Sequence, residues 1–74
     1  MDNMANRDKF IQGIKTLEVD KLLTYPKQIR MNSRTFSKIT GITNHYTDAN
    51  GLIGNYWTIK VYIDDSVKGY NFVF

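Results

Sequence analysis

Few side chains in this chain have the chemistry that catalysis requires. The 74 residues contain no cysteine and a single histidine, His45. Covalent catalysis needs a nucleophile next to a base and a group that orients the base. The three serines, Ser33, Ser37 and Ser66, lie outside any nucleophile-elbow motif. The sequence therefore predicts no catalytic residue and a protein that is not an enzyme.

Signals for a cofactor or a metal are equally weak. Gly51 and Gly54 are too isolated to form a glycine-rich phosphate-binding loop. Asp64 and Asp65 are neighbours at the end of a predicted strand, where adjacent side chains point to opposite sides, whereas a hard cation needs several converging oxygens. Because aspartate is favoured in turns, we interpret this pair as part of a turn. His45 is either a general base or metal ligand or a loop histidine, and its polar surroundings favour the loop histidine. We expect no metal and no cofactor.

Basic residues are concentrated in the first half of the chain. Residues 1–38 carry eight Lys or Arg and four Asp or Glu, whereas residues 39–74 carry two Lys and three Asp, and the net charge is +3. One cluster contains Lys27, Arg30, Arg34 and Lys38. These groups would suit nucleic-acid phosphates, with Tyr56, Lys60 and Tyr62 as a stacking surface. A solvated charged face explains them equally well, and no nucleic-acid-binding motif is present.

The aromatic content of 14% is high for so short a chain. Each buried tyrosine hydroxyl needs a hydrogen-bond partner, so the five tyrosines cannot all be interior. Tyrosine and arginine together are typical of protein interfaces. We therefore expect an amphipathic aromatic surface that contacts a partner. The predicted partner-binding residues are Arg30, Arg34, Lys38, Tyr56, Lys60 and Tyr62.

The N-terminal third of the chain is predicted to be helical, with a break. One face of a helical wheel carries Phe10, Ile11, Ile14 and Leu17. Asn6 is the predicted N-cap and Asp8 suits the first turn, whereas Gly13 weakens the helix by about 1 kcal/mol relative to alanine. The opposite side of the wheel carries Val19, Leu22 and Leu23. One straight helix cannot bury both sets, so we expect a break near Glu18–Val19, with Asp20 capping a second short turn.

Residues 26–41 have two interpretations. In the first, Pro26 opens a single helix and Gly41 ends it. In the second, residues 28–31 form a short strand and Ser33 caps a helix from residue 34 to residue 40. Asparagine and serine are unfavourable inside a helix and favourable just before one. Since residues 32 and 33 are Asn-Ser, we favour the strand followed by a helix.

The C-terminal third is predicted to be a β-hairpin. Residues 43–55 are rich in turn formers, and Asn50–Gly51 is a hairpin signal. Alternating apolar and polar residues then predict a strand over residues 56–63, with Trp57 facing the core. Residues 64–69 form the turn, and residues 70–74 form the returning strand.

Two segments resemble parts of small phage- or prophage-encoded proteins. They are residues 29–41, IRMNSRTFSKITG, and residues 56–74, which include the run VYIDD at residues 61–65. A strand ending in Met-Asn, then a Thr-Phe helix, a turn and a VYIDD strand is similar to segments of phage capsid and other structural proteins. The resemblance covers about half of the chain, implies a phage or mobile-element origin and brings no functional residue with it.

These observations together predict one small α+β domain spanning residues 1–74. N-terminal helices and a short central helix pack on a small antiparallel sheet that ends in a C-terminal hairpin. The predicted core consists of Phe10, Ile14, Leu17, Leu22, Ile29, Phe36, Ile39, Trp57, Ile59, Val61, Ile63, Phe72 and Phe74. No long apolar run and no signal peptide are visible, so we expect no membrane contact and a cytoplasmic location, in the host cell for a phage protein. We expect a non-enzymatic protein that binds a protein partner or self-associates; the alternative is a small basic nucleic-acid-binding protein.

Overall fold

The computed structural model describes the backbone of residues 3–74 and the side chains of residues 6–74. Two α-helices, one 3₁₀ helix and four strands follow one another along this part of the chain. They are α1 (Asn3–Lys15), the 3₁₀ helix (Val19–Lys21), β1 (Gln28–Met31), α2 (Ser33–Thr40), β2 (Leu52–Tyr56), β3 (Ile59–Ile63) and β4 (Tyr70–Val73). Residues 1 and 2 lie outside the described residues. They belong to the N-terminal segment in which the sequence predicts no signal peptide. No helix in residues 3–74 is long and apolar enough to cross a bilayer.

The four strands form one mixed sheet in the order β2-β3-β1-β4. β1 is parallel to β3 and antiparallel to β4, and β2 is antiparallel to β3. The predicted α+β class is therefore confirmed. The last two strands run antiparallel and are joined by a turn at residues 64–69, but β1 lies between them. Because Ile29 and Met31 of β1 are fully buried, this strand gains more contact at the centre of the sheet than at an edge.

The segment from residue 28 to residue 41 is a strand followed by a helix, as favoured from the sequence. Asn32 is the N-cap of α2, and its side-chain oxygen accepts a hydrogen bond from the Thr35 amide at 2.7 Å. Ser33, the predicted cap, is instead the first helical residue. Gly41 ends the helix with a φ of 74°, and its N–H bonds to the Ser37 carbonyl at 2.8 Å. This left-handed conformation costs glycine little.

The N-terminal helix breaks where the sequence predicts. α1 ends at Lys15, and Glu18 reverses the chain with a φ of 59°. Two details differ from the prediction. Asn6 lies inside α1 and not at its N-cap, because residues 3–5 are helical as well. Val19, which is absent from the predicted core, is fully buried because the reversal at Glu18 directs it into the core.

The core lies between the two helices and one face of the sheet. Its buried members are Ile14, Val19, Ile29, Met31, Phe36, Tyr56, Ile59 and Val61. Trp57 and Phe74 were expected there, but their side chains are 74% and 63% exposed. The predicted strand 56–63 is two strands joined by a turn at residues 57 and 58, so Trp57 lies in a turn; Phe74 lies beyond the end of β4.

The turn signal at Asn50–Gly51 marks a turn but not a hairpin. Residues 41–50 contain no strand, and the turn leads directly into β2. The Asp48 carboxylate accepts hydrogen bonds from the amides of Asn50 and Leu52 at 2.8 and 3.0 Å. Asparagine-glycine specifies the backbone conformation of a turn, whereas pairing of its flanks depends on their apolar pattern.

Gly13, which weakens α1 by intrinsic propensity, lies where α1 crosses α2. A Cβ atom at this position would lie 2.7 Å from the Ile39 carbonyl oxygen and 2.9 Å from the Thr40 Cα. Both are backbone atoms, so the helices would have to move apart. The glycine therefore permits the close packing of the two helices.

We predict that Gly13→Ala destabilises the protein. Helix propensity alone predicts a gain of about 1 kcal/mol, whereas overpacking at the crossing is expected to cost about 1–3 kcal/mol. Urea unfolding measures the difference. Gln12→Ala, on the exposed side of the same helix, is the control and should stay within about 0.5 kcal/mol of the parent protein. A Gly13→Ala protein as stable as the parent would contradict the close crossing.

Candidate binding surfaces

The helices cover one face of the sheet and leave the other face open. Residues paired across adjacent strands point to the same side, so the strand registers define which side chains share this open face. They are Gln28, Arg30, Leu52, Asn55, Lys60, Tyr62, Asn71 and Val73. We call this set the open face. Most of its members are polar, and none of them belongs to the buried core.

The structure separates the six predicted partner-binding residues into three groups. Arg30, Lys60 and Tyr62 lie together on the open face, with Arg30 paired to Tyr62 across β1 and β3. Arg34 and Lys38 are exposed on α2, which packs on the opposite face. Tyr56 lies apart from both groups, in the core. The six residues therefore do not form one surface.

The expectation that Tyr56 forms one surface with Lys60 and Tyr62 is wrong. Its side chain is 1% exposed, and its hydroxyl donates a hydrogen bond to Asp20 at 2.7 Å. Burial, and then this hydrogen bond, raises the pKa of the Tyr56 phenol. The physical reason for the error is the turn at residues 57 and 58, which places Tyr56 on the same side of the sheet as Ile59.

Arg30 is held at the centre of the open face. Its Nε donates to Asp64 at 3.0 Å and its Nη1 donates to Gln28 at 3.1 Å. The guanidinium also lies 4.8 Å from the centre of the Tyr62 ring, a cation–π distance. Ser66 first, and Arg30 second, lower the pKa of the Asp64 carboxyl. Arg30 and Asp64 therefore form a partly buried ion pair.

The adjacent aspartates of the 64–69 turn bind protein groups. Asp65 accepts hydrogen bonds from the backbone amide and the hydroxyl of Ser33, both at 2.8 Å. These bonds, the one from the amide first, lower the pKa of the Asp65 carboxyl. The interpretation of the pair as turn residues is confirmed. Within the part of the chain that the structure describes, no three His, Cys, Asp or Glu side chains are placed to hold a metal ion.

A hollow of about 500 Å³ lies at one end of the open face. Its lining includes Tyr25, Lys27, Gln28, Thr58, Lys60 and Tyr62. We call it the tyrosine–lysine groove. Tyr25 is 43% exposed, and its hydroxyl donates to Asp20 at 2.8 Å. Asp20 thus accepts from two tyrosines, and the bonds from Tyr56 and then Tyr25 lower the pKa of its carboxyl. The predicted role of Asp20 as a cap is wrong, since it lies inside the 3₁₀ helix.

A second depression runs between α1 and β2. It has two hollows, of about 500 and 320 Å³, and both are lined by Arg7, Phe10 and Asn55. Phe36, Ile42 and Ile53 add apolar surface to the larger hollow, and Ile11, Tyr56 and Trp57 line the smaller one. We call the two hollows together the α1–β2 groove. The backbone of β2 at Gly54 lies close to the Phe10 side chain of α1, because a Cβ atom at Gly54 would lie 3.2 Å from the Phe10 ring.

His45 lines the larger hollow of this groove. Its ring lies edge-on to Phe36, with 5.1 Å between the ring centres. Its Nδ1 atom is buried and has no hydrogen-bond partner among the described residues. His45 lies in a loop, as favoured, but it is half-buried against the rim of the core and not in solvent.

No family model, curated protein or solved structure has a significant match to this chain. The resemblance to phage-encoded proteins therefore stays a prediction.

We predict that acid weakens the fold through the aspartates described above. A carboxyl whose pKa is lowered in the folded state stabilises the fold above the ordinary aspartate value of 3.8, and this stabilisation is lost as the pH falls through the lowered value. The urea midpoint should therefore be steady near neutral pH and fall in the acid range. For Asp65→Asn, the urea midpoint near neutral pH should be lower than that of the parent protein. It should fall less steeply with acid, so that the two curves of midpoint against pH meet at low pH.

The control for this measurement is Asp8→Asn. Asp8 is exposed on α1 and makes no hydrogen bond or ion pair with residues 6–74. Its curve should run parallel to that of the parent protein. Equal slopes for the parent protein and Asp65→Asn would show that the bonds from Ser33 do not contribute to the acid dependence.

Proposed function

We propose that this protein is a non-enzymatic binding module whose α1–β2 groove holds a segment of a partner protein. One observation carries the proposal: Trp57, the only tryptophan of the chain, is 74% exposed in the turn between β2 and β3. Phage or host proteins are the class of partner that fits the resemblance of the two segments, with the cytoplasm as the setting.

The position of Trp57 is unfavourable for the isolated fold. It is the first residue of a two-residue hairpin turn and has a φ of 56°, where glycine is usual. A residue other than glycine in this conformation costs about 1–3 kcal/mol. Its ring contacts that of Tyr56 edge-on, at 6.3 Å between centres, and most of its surface stays in water. Tryptophan is enriched among the residues that dominate binding energy at interfaces.

The surface next to Trp57 suits a peptide segment. Phe10 and Ile11 of α1 supply apolar surface in the smaller hollow, and Tyr46, which is 91% exposed, lines the larger one. β2 forms one wall of the groove and is hydrogen-bonded to a strand on one side only. An edge strand can accept an extended segment of another chain by backbone pairing.

The charge of the α1–β2 groove indicates which charge the partner segment carries. Within residues 6–74, Arg7 is the only Lys, Arg, Asp or Glu side chain that lines either hollow. Arg7 is exposed and has no ion pair among these residues. The complementary segment therefore carries an aromatic or aliphatic side chain next to an aspartate or glutamate. Arginine binds such a carboxylate through two parallel hydrogen bonds.

We predict that Trp57→Gly keeps the fold. Relief of the backbone strain at residue 57 offsets the conformational entropy that glycine adds to the unfolded chain. The free energy of unfolding should therefore equal that of the parent protein or exceed it by up to about 1 kcal/mol. Urea unfolding checks this, and a loss of more than about 1 kcal/mol would mean that Trp57 serves the fold and not a partner.

The binding function itself is tested by selecting peptides on the protein from a random displayed library. Selected peptides should be enriched in an aromatic or aliphatic residue adjacent to Asp or Glu. They should bind Trp57→Gly about tenfold more weakly or worse, and Arg7→Glu should also lose affinity. Lys38→Glu makes a similar charge change on α2 and should bind as the parent protein does. Peptides without acidic residues, or equal binding to all the variants, would overturn the proposal.

A further inference from the structure

The tyrosine–lysine groove shares no lining residue with the α1–β2 groove and has a different chemistry. Its two basic groups, Lys27 and Lys60, are both exposed. Neither lysine is in an ion pair within residues 6–74. None of the described residues that line the groove carries a carboxylate. Asp20 and Asp64 are engaged by other groups: Asp20 accepts the hydroxyls of Tyr25 and Tyr56, and Asp64 binds Arg30.

The arrangement of the groove follows from the sheet. Lys60 and Tyr62 are two residues apart on β3 and share the open face, so they lie about 7 Å apart along the strand. Gln28 lies opposite Lys60 on the neighbouring strand. Lys27 immediately precedes β1, and its backbone carbonyl accepts the Lys60 amide at 3.2 Å. The two lysines are thus anchored at the same end of adjacent strands.

Aromatic rings accompany this positive charge. Tyr62 lines the groove and has the Arg30 guanidinium 4.8 Å from its ring centre. Tyr25 lines the groove as well, and its hydroxyl is tied to Asp20 at 2.8 Å. Both rings are therefore held in place before a ligand binds. Positive charge beside fixed aromatic rings on an open sheet is the arrangement that binds single-stranded nucleic acid.

We propose that the tyrosine–lysine groove binds a single strand of nucleic acid. Lys27 and Lys60 contact phosphates, and a base stacks on Tyr62. Gln28 offers an amide to the edge of a base. The bases of a duplex are already stacked on one another, so a duplex presents only phosphates to this groove. Stacking and phosphate contact do not use the ribose hydroxyl, so DNA and RNA strands are held in the same way.

Fluorescence anisotropy with a labelled oligothymidylate tests the proposal. Binding should weaken with salt, and two phosphate contacts correspond to a slope of log K against log salt of about −1.4. Lys27→Gln and Lys60→Gln should each weaken binding and reduce the slope by about 0.7. Lys38→Gln, the same change on α2, is the matched control and should leave both unchanged.

Substitutions at Tyr62 test the proposed stacking of a base. Tyr62→Leu should weaken binding by roughly 5- to 150-fold, the loss expected for one stacked base. Tyr62→Phe keeps the ring and should retain the affinity. Urea unfolding of each variant separates a lost contact from a lost fold. Trp57→Gly should bind the oligonucleotide as the parent protein does. The nucleic-acid proposal and the protein-binding proposal can therefore be contradicted independently of each other.

Three results would overturn the proposal. The first is no binding at low salt. The second is an equal loss for Lys38→Gln and the groove variants, which would indicate general charge attraction without a site. The third is competition by polyglutamate as strong as that by the unlabelled oligonucleotide, with Tyr62→Leu unaffected. That third outcome would assign the groove to acidic protein segments.

Discussion

The burial of Tyr56 is the constraint on which the other features of this fold depend. It is the largest fully buried side chain of the core, and a buried hydroxyl must find a hydrogen-bond partner. Asp20 provides that partner, because the chain reversal at Glu18 brings the 3₁₀ helix against the sheet. This hydrogen bond joins the N-terminal helical region to the last residue of β2.

Both surfaces result from that placement. With Tyr56 directed into the core, the two-residue turn that follows places Trp57 outside, next to the α1–β2 groove. β3 then begins with Ile59 in the core, so Lys60 and Tyr62 point to the open face. The same carboxylate of Asp20 also holds Tyr25 beside the tyrosine–lysine groove. One buried phenol and its acceptor therefore position an apolar groove and a basic aromatic one.

Sequence reasoning succeeds here where local signals decide the structure. The pair Asn32–Ser33 separates β1 from α2, and Gly41 marks the end of α2. The error at Trp57 has a simple origin. A two-residue turn preserves the alternation of residues 59–63 and reverses only the faces of the residues before it, so Tyr56 and Trp57 exchange places. Neither turn residue is a glycine or an asparagine, so no local signal marks the turn. Arg30, Lys60 and Tyr62 could be grouped by alternation. The α1–β2 groove could not be predicted, because it joins residues about 45 positions apart along the chain.

The central claim is that the Tyr56 hydroxyl and the Asp20 carboxylate act as a pair that joins the two halves of the fold. A double-mutant cycle on the free energy of unfolding, with Tyr56→Phe and Asp20→Ala, tests it most directly. The account predicts that the two single changes destabilise the protein and that the double change costs clearly less than the two together. Strict additivity of the two effects would contradict it.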